Sequence, residues 1–267
     1  MHRTLYYRFL NELRTDAKID QNDRFLVVFA GTTDKEVFSA LGFTNAHFTN
    51  LEPTQLPGTQ IIDARNLPFP DESYDHVVAH AGLHHTSRPH QALCEMYRVA
   101  RKSVIFFESQ DSLAMRLAAA LNLAGEYEVN RNLSAGGRGG GVDDKPIPNH
   151  VYRWTLREVE KLVRSLDPAH KPRIRARREW SIQEHVRRLL SRALPGGGDR
   201  QWPSRVGKLA SDSFNTLAGS HGNSLAVQIE KTYELQPWIE QDGDGLKLTS
   251  DPSRARRRSG LASRLPI

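Results

Sequence analysis

The chain has 267 residues and a net charge of +6, with 38% hydrophobic and 25% charged residues. This composition excludes a disordered chain, and the length suits one α/β domain with a sizeable core or two small domains. No apolar run reaches the roughly 18 residues of a membrane helix, and the N-terminal stretch lacks a signal-peptide pattern. We expect a cytoplasmic protein with no membrane partner. Cys94 is the single cysteine, which excludes an intramolecular disulfide and a cysteine zinc cluster.

The first half of the chain alternates between helical and strand patterns. Helical spacing of apolar residues predicts a helix over 3–17, and "DRFLVVFAG" predicts a strand buried on both faces. Thr33 and Glu36 have the spacing of a capping box, so they predict the start of the next helix. The segment "AHFTNLEP" predicts the second strand. Three more strands are predicted at 59–63, 76–82 and 103–109, and a helix over "TSRPHQALCEMYRVARK" precedes the last of them.

This alternation predicts an α/β fold with a mostly parallel sheet and helices on both sides. Ligands of such sheets bind at the carboxyl ends of the strands, near the switch point. Late in the chain, "NSLAVQIEKT" (223–232) alternates and predicts an antiparallel strand at the sheet edge. Helices are also predicted at 111–124, 155–166 and 181–194.

We predict a single domain over residues 1–245, with an insert near 125–150 and helices within 155–195, followed by a disordered basic tail at 246–267. Within the insert, the glycine-rich stretch 133–146 is interpreted as a plain loop, with a mobile lid as the alternative. The basic stretches are interpreted as solvated surface, because no nucleic-acid module accompanies them.

One central segment carries a family resemblance. It reads "DARNLPFPDESYDHVVAHAGLHHTSRPHQALCEMYRVARKSVIFFE" (63–108). The order and spacing of Asp-Ala, Leu-Pro-Phe, the apolar strand, Leu-His-His and Glu-Met-x-Arg-Val resemble class I S-adenosylmethionine-dependent methyltransferases of the small-molecule type. The resemblance spans roughly residues 24–110. It implies a three-layer Rossmann-like fold, S-adenosylmethionine as cofactor, and methyl transfer to a hydroxyl or amine of a small metabolite or sugar-like acceptor.

The resemblance also implies which residues hold the nucleotide. Asp63 would accept a hydrogen bond from the adenine amine, and the backbone of Ala64 would donate to the ring. The family's ribose-binding carboxylate position falls on Asn50, and Glu52 is the nearby carboxylate, so both are candidates. His80, at the end of the fourth predicted strand, would contact the cofactor.

The turn after the first strand departs from the family pattern Gly-x-Gly-x-Gly. Of that set the chain keeps Gly31, with Ala30, Thr32 and Thr33 around it. Small residues still permit a close backbone approach, and the N-terminus of the following helix favours a carboxylate. We therefore predict that Ala30, Gly31 and Thr32 cradle the methionyl end of the cofactor.

Histidines after the fourth strand are the candidates for chemistry. Alignment supplies much of the rate of methyl transfer, but a hydroxyl or amine acceptor can need a base. His85 and His84 lie where the methyl group would point and titrate near neutrality, although one of them can serve only to orient the loop. No metal site is predicted, because no carboxylate completes the set at a recognisable interval. Tyr152 and Arg153 are candidate substrate contacts, with a core role for Tyr152 as the alternative.

Three other functions were weighed against this one. A catalytically silent binding or assembly domain would explain the glycine-poor turn and Asn50. A nicotinamide-dependent oxidoreductase is disfavoured, because the three-glycine fingerprint is absent. A nucleic-acid methyltransferase would more usually show Asn/Asp-Pro-Pro and an aromatic residue where this chain has "AHAGLHH", so the expected partner is a small molecule.

Overall fold

The structure is a computed structural model that describes residues 4–129, 133, 141–180, 219–243 and 245–250. The helices of the described chain are α1 (Leu5–Thr15), α2 (Thr32–Leu41), α3 (Pro89–Val99), α4 (Leu113–Ala120) and α5 (Leu156–Leu166). The strands are β1 (Phe25–Val28), β2 (Ala46–Asn50), β3 (Gln60–Ile61), β4 (Tyr74–His80), β5 (Ala100–Ser109), β6 (Arg173–Glu179), β7 (Ser224–Glu230), β8 (Ile239–Asp242) and β9 (Gly245–Leu248). Within the described ranges, no helix has the length and apolar character needed to cross a bilayer.

Seven strands form one sheet in the order β3-β2-β1-β4-β5-β7-β6. The five strands from β3 to β5 are parallel, and β7 runs antiparallel between β5 and β6. The three-layer Rossmann-like fold with a mostly parallel sheet is therefore confirmed. The antiparallel strand predicted at 223–232 is β7, and its direction is confirmed. The strand at the edge of the sheet, however, is β6. It lies in a basic stretch that we interpreted as solvated surface.

Alternation along the buried strands divides the core between the two faces of the sheet. Val77 of β4 packs with Met96 of α3 and Val159 of α5 on one face. Val78, its neighbour, packs on the other face with Val37 of α2, in the cluster that also contains the buried residues of α1. The helices therefore fix the sheet from both sides and leave its carboxyl edge for a site.

Three predictions fall wholly or partly outside the described residues. The helix predicted at 181–194 lies outside them, as do residues 134–140 of the glycine-rich stretch and residues 251–267 of the predicted tail. The domain boundary predicted after residue 245 falls inside the hairpin of β8 and β9, which extends to Leu248. Residues 246–248 are thus part of a strand rather than of a tail.

Asp75 anchors the amino end of β4 and gives a prediction on acid stability. It accepts a hydrogen bond from the Arg24 backbone N–H at 2.9 Å, and it contacts Arg101 and Lys102. Burial raises the pKa of Asp75, but these donors and charges outweigh it and lower the pKa to about 2.

Because the folded pKa lies below the unfolded one, the ionised Asp75 stabilises the protein above about pH 4 and loses this effect as the pH falls towards 2. We expect Asp75→Asn to lower the free energy of unfolding by about 1–2 kcal/mol at pH 7, roughly 1.4 kcal/mol per pKa unit. The difference from the wild type should vanish near pH 2. Urea unfolding across this range measures it, and a constant difference at all pH values would contradict the assignment.

Candidate active site

The order of the strands reverses between β1 and β4, and this switch point is where ligands of open α/β sheets bind. Both strands are followed by a residue in the left-handed region, Phe29 with φ 57° and Ala81 with φ 50°. Residues other than glycine rarely adopt this conformation, and such strain clusters at functional sites. The backbone thus marks the carboxyl ends of β1 and β4 as the candidate site.

Phe29 lies directly against Gly82, the second residue after β4. A Cβ atom on Gly82 would collide with the Cβ and Cγ atoms of Phe29, so only glycine permits this approach. The Phe29 side chain is partly buried against the core cluster that contains Ala64 and Leu83. Sequence analysis missed Phe29, because it considered only the residues from Ala30 onwards as replacements in the turn.

The turn after β1 leads into α2 at a different residue from the one predicted. Gly31 is the N-cap, and its backbone N–H donates to Asp34 Oδ2 at 2.8 Å. The capping box predicted at Thr33 and Glu36 was therefore wrong, because the helix begins at Thr32. Among the described residues other than its chain neighbours Ala30 and Thr32, Asp34 Oδ2, at 3.9 Å, is the single atom within 4 Å of a Cβ built on Gly31. There is accordingly space over Gly31.

The residues on either side of Gly31 differ in exposure. Ala30 is fully buried, and its N–H donates to Thr49 O at 2.8 Å. Thr32 is exposed in the first turn of α2. The turn therefore offers Gly31 and Thr32 to a ligand, whereas the side chain of Ala30 belongs to the core.

Asp34 and Tyr6 are buried beneath the start of α2, and His80, which is partly exposed, contacts both. Tyr6 donates to Asp34 Oδ1 at 2.8 Å, and its ring stacks on His80 with centroids 4.2 Å apart. Burial raises the pKa of Asp34 and lowers that of His80, whose Nδ1 lies 3.9 Å from Asp34 Oδ1. The ring of His80, predicted to contact the cofactor, thus connects Tyr6 of α1 to the end of β4.

The residues predicted to bind the nucleoside lie at the ends of β2 and β3. Asn50 donates through Nδ2 to Ala30 O at 3.0 Å, and its Oδ1 accepts from the Glu52 N–H at 3.4 Å. Asp63 pairs with Arg65, whose Nη2 lies 2.8 Å from Asp63 Oδ2, and this pairing lowers the pKa of Asp63. Ala64 beside it is buried.

The Leu-His-His segment forms a 3₁₀ turn, Leu83–His85, directly above the end of β5. Glu108 of β5 is buried and accepts from the Leu83 N–H at 2.8 Å and from His84 Nδ1 at 2.6 Å. Burial lowers the pKa of His84, but the carboxylates of Glu108 and Glu128 outweigh this and raise it to about 9. Among the described residues, the carboxylates of Glu108 and Glu128 thus hold the His84 ring in a fixed position.

Glu128 and Asn149 join this turn from the insert. Glu128 Oε1 lies 3.6 Å from His84 Nε2, and Asn149 Nδ2 donates to His84 O at 3.3 Å. The ring of His85 lies against that of His84, with centroids 4.1 Å apart and the two planes tilted by 39°. Sequence analysis missed Glu128 and Asn149, since neither belongs to a local motif.

Tyr152 and Arg153, the predicted substrate contacts, have partners within the chain. The Tyr152 hydroxyl bonds to Glu158 and lies 3.0 Å from His90 Nε2, which connects it to the start of α5. Arg153 Nη2 donates to Gly125 O at 2.6 Å and so holds the start of the insert. The structure places them beside the insert, where their role in binding a substrate stays a prediction.

Comparison with known families identifies this arrangement. Residues 42–107 match the family model described as a methyltransferase domain. The resemblance to class I S-adenosylmethionine-dependent methyltransferases is confirmed. The matched segment runs from the end of α2 into β5 and includes Asn50, Asp63 and the histidine pair.

Solved structures similar to this chain include an S-adenosylmethionine-dependent methyltransferase from Archaeoglobus fulgidus, at 12% identity, with a TM-score of 0.48 and coverage of 84% of this chain and 94% of that one. Another is a putative methyltransferase from Bacillus halodurans, at 15% identity, with a TM-score of 0.46 and coverage of 83% and 98%. A search of curated proteins found no match.

Proposed function

We propose that this chain transfers a methyl group from S-adenosylmethionine to a hydroxyl or amine of a small metabolite or sugar-like acceptor. One observation carries the proposal: polar residues at the carboxyl ends of β2, β3, β4 and β5 surround a switch point at which Gly31 leaves open space. The family match supports the class of reaction. The acceptor class is proposed from the resemblance of the central segment to small-molecule methyltransferases.

The residues of the turn and of the strand ends fit such a cofactor. A Cβ on Gly31 would point into space that the described chain leaves free, as a closely approaching ligand requires. The Asp63 side chain is 35% exposed, so its charged oxygens can accept from an adenine amine. When bound, the cofactor supplies an already activated methyl group.

The protein's own part is to bind and orient. Asp63 and Ala64 recognise the purine, and Asn50 or Glu52 bonds the ribose hydroxyls. Glu108 holds His84 rigidly, and His85, which is less buried, contacts the acceptor. Because alignment dominates this chemistry, such fixed groups suffice for much of the rate.

Isothermal titration calorimetry of the full chain with S-adenosylmethionine and S-adenosylhomocysteine tests the proposal. We expect micromolar binding of both. The absence of heat at high ligand concentration, with circular dichroism showing a folded protein, would exclude the transferase.

Asp63→Ala tests the purine contact. The change leaves the adenine amine without its acceptor, which costs about 1–3 kcal/mol, or roughly 5- to 150-fold in affinity. Calorimetry with S-adenosylhomocysteine measures the loss. Arg65→Met is the matched control, because it removes the present partner of Asp63 and leaves the carboxylate in place; we expect it to bind at least as tightly as the wild type.

A second candidate function, a catalytically silent binding or assembly domain, is favoured by Phe29. Its side chain takes up space between the ends of β1 and β4, against Gly82. A domain of this kind would bind neither cofactor nor product, so the same calorimetry distinguishes the two functions.

A further inference from the structure

Three potential metal ligands converge beside the end of β4. His84, His85 and Glu128 each offer one atom, and these atoms lie within 4.8 Å of one another. Ligand atoms about 2.0–2.1 Å from a tetrahedral zinc ion are roughly 3.3 Å apart. The 3.6 Å between His84 Nε2 and Glu128 Oε1 is already close to this value.

The orientation of His84 is that of a metal-binding histidine. Glu108 accepts from Nδ1 at 2.6 Å, which leaves Nε2 directed towards Glu128. Glu108 is itself fixed by the Leu83 N–H. A carboxylate that holds the distal nitrogen of a ligating histidine is a recurrent feature of metal sites, because it sets the tautomer and the ring plane.

Backbone hydrogen bonds between its own segment and that of Asn149 fix the position of Glu128. Its N–H donates to Asn149 O at 3.1 Å, and the Val151 N–H donates to Glu126 O at 2.8 Å. Asn149 is fully buried and contacts the turn through His84 O, yet its Oδ1 has no hydrogen-bond partner among the described residues.

Charge favours a cation at the same place, since two carboxylates, Glu108 and Glu128, face one buried imidazole. We propose that His84, His85 and Glu128 bind a divalent cation of the zinc class, with Glu108 as the carboxylate that orients His84. Two imidazole nitrogens and one carboxylate oxygen suit zinc better than magnesium or calcium, which prefer oxygen ligands. Three protein ligands leave a fourth position for water or for a hydroxyl group of an acceptor.

Zinc binding by the full chain after chelator treatment tests the site. We expect one equivalent of Zn²⁺ to bind by calorimetry, and Co²⁺ to give a visible spectrum typical of nitrogen and oxygen ligands. His85→Gln and Glu128→Gln should weaken binding at least tenfold, and Glu108→Gln by about 10- to 100-fold. Glu126→Gln is the matched control in the same segment, and it should bind like the wild type.

Two outcomes would overturn the site. One is a folded wild-type chain that takes up no stoichiometric zinc, and the other is equal zinc affinity in Glu128→Gln and Glu126→Gln, which indicates adventitious binding by other histidines. Titration with S-adenosylhomocysteine is a separate measurement, so failure of the metal site and failure of the methyltransferase proposal are distinguishable.

Discussion

Replacement of Gly31 by valine is expected to abolish cofactor binding and to leave the fold intact. Gly31 has φ −131° and ψ −172°, an extended conformation that a β-branched residue adopts readily. Its Cβ would meet Asp34 Oδ2 at an ordinary distance of 3.9 Å. The valine methyl groups then occupy the space that the cofactor needs, and we expect at least about a 100-fold loss of affinity, or roughly 3 kcal/mol.

Calorimetry with S-adenosylhomocysteine and thermal unfolding together measure this effect. Ser39→Val, on the exposed side of the same helix, is the control for adding a valine to α2 and should change neither binding nor the melting temperature appreciably. If folded Gly31→Val binds like the wild type, the turn after β1 is not where the cofactor lies.

The fold could be predicted where the burial of side chains alone determines the pattern of apolar residues. A continuous apolar run, as in β1, requires a sheet covered on both faces, and the structure has one. β6 was missed because arginines separate its inward residues Ile174 and Ala176. Charged side chains protect the edge of a sheet from further pairing. The basic stretch is therefore itself the edge strand of this sheet.

The site could be predicted only where its residues share a local motif. His84, His85 and Glu108 fall within the segment that resembles methyltransferases, and the structure brings His84 and Glu108 together. Tyr6 and Glu128 approach the same edge from distant parts of the chain, through the packing of α1 and the pairing of the insert. Contacts of this range depend on tertiary structure, which no spacing rule reports.

Glu108→Ala is expected to cause the largest loss of stability. The carboxylate is 5% exposed and satisfies two groups at once, the ring of His84 and the backbone N–H of Leu83. Its removal leaves the buried imidazole with Glu128 as its remaining carboxylate and the Leu83 N–H unpaired, and breaking such a buried pair costs about 3–5 kcal/mol. Urea unfolding at pH 7 measures the change.

Two further variants separate charge from hydrogen bonding. Glu108→Gln keeps an oxygen for the Leu83 N–H, so it should be less destabilising than Glu108→Ala. The double change His84→Leu with Glu108→Leu removes both charges, so we expect it to cost less than the sum of the two single changes. A loss of stability below about 1 kcal/mol in Glu108→Ala would mean that water readily replaces the contacts that Glu108 makes with His84 and Leu83. His84 would then lack the rigidity on which the acceptor contact and the zinc site both depend.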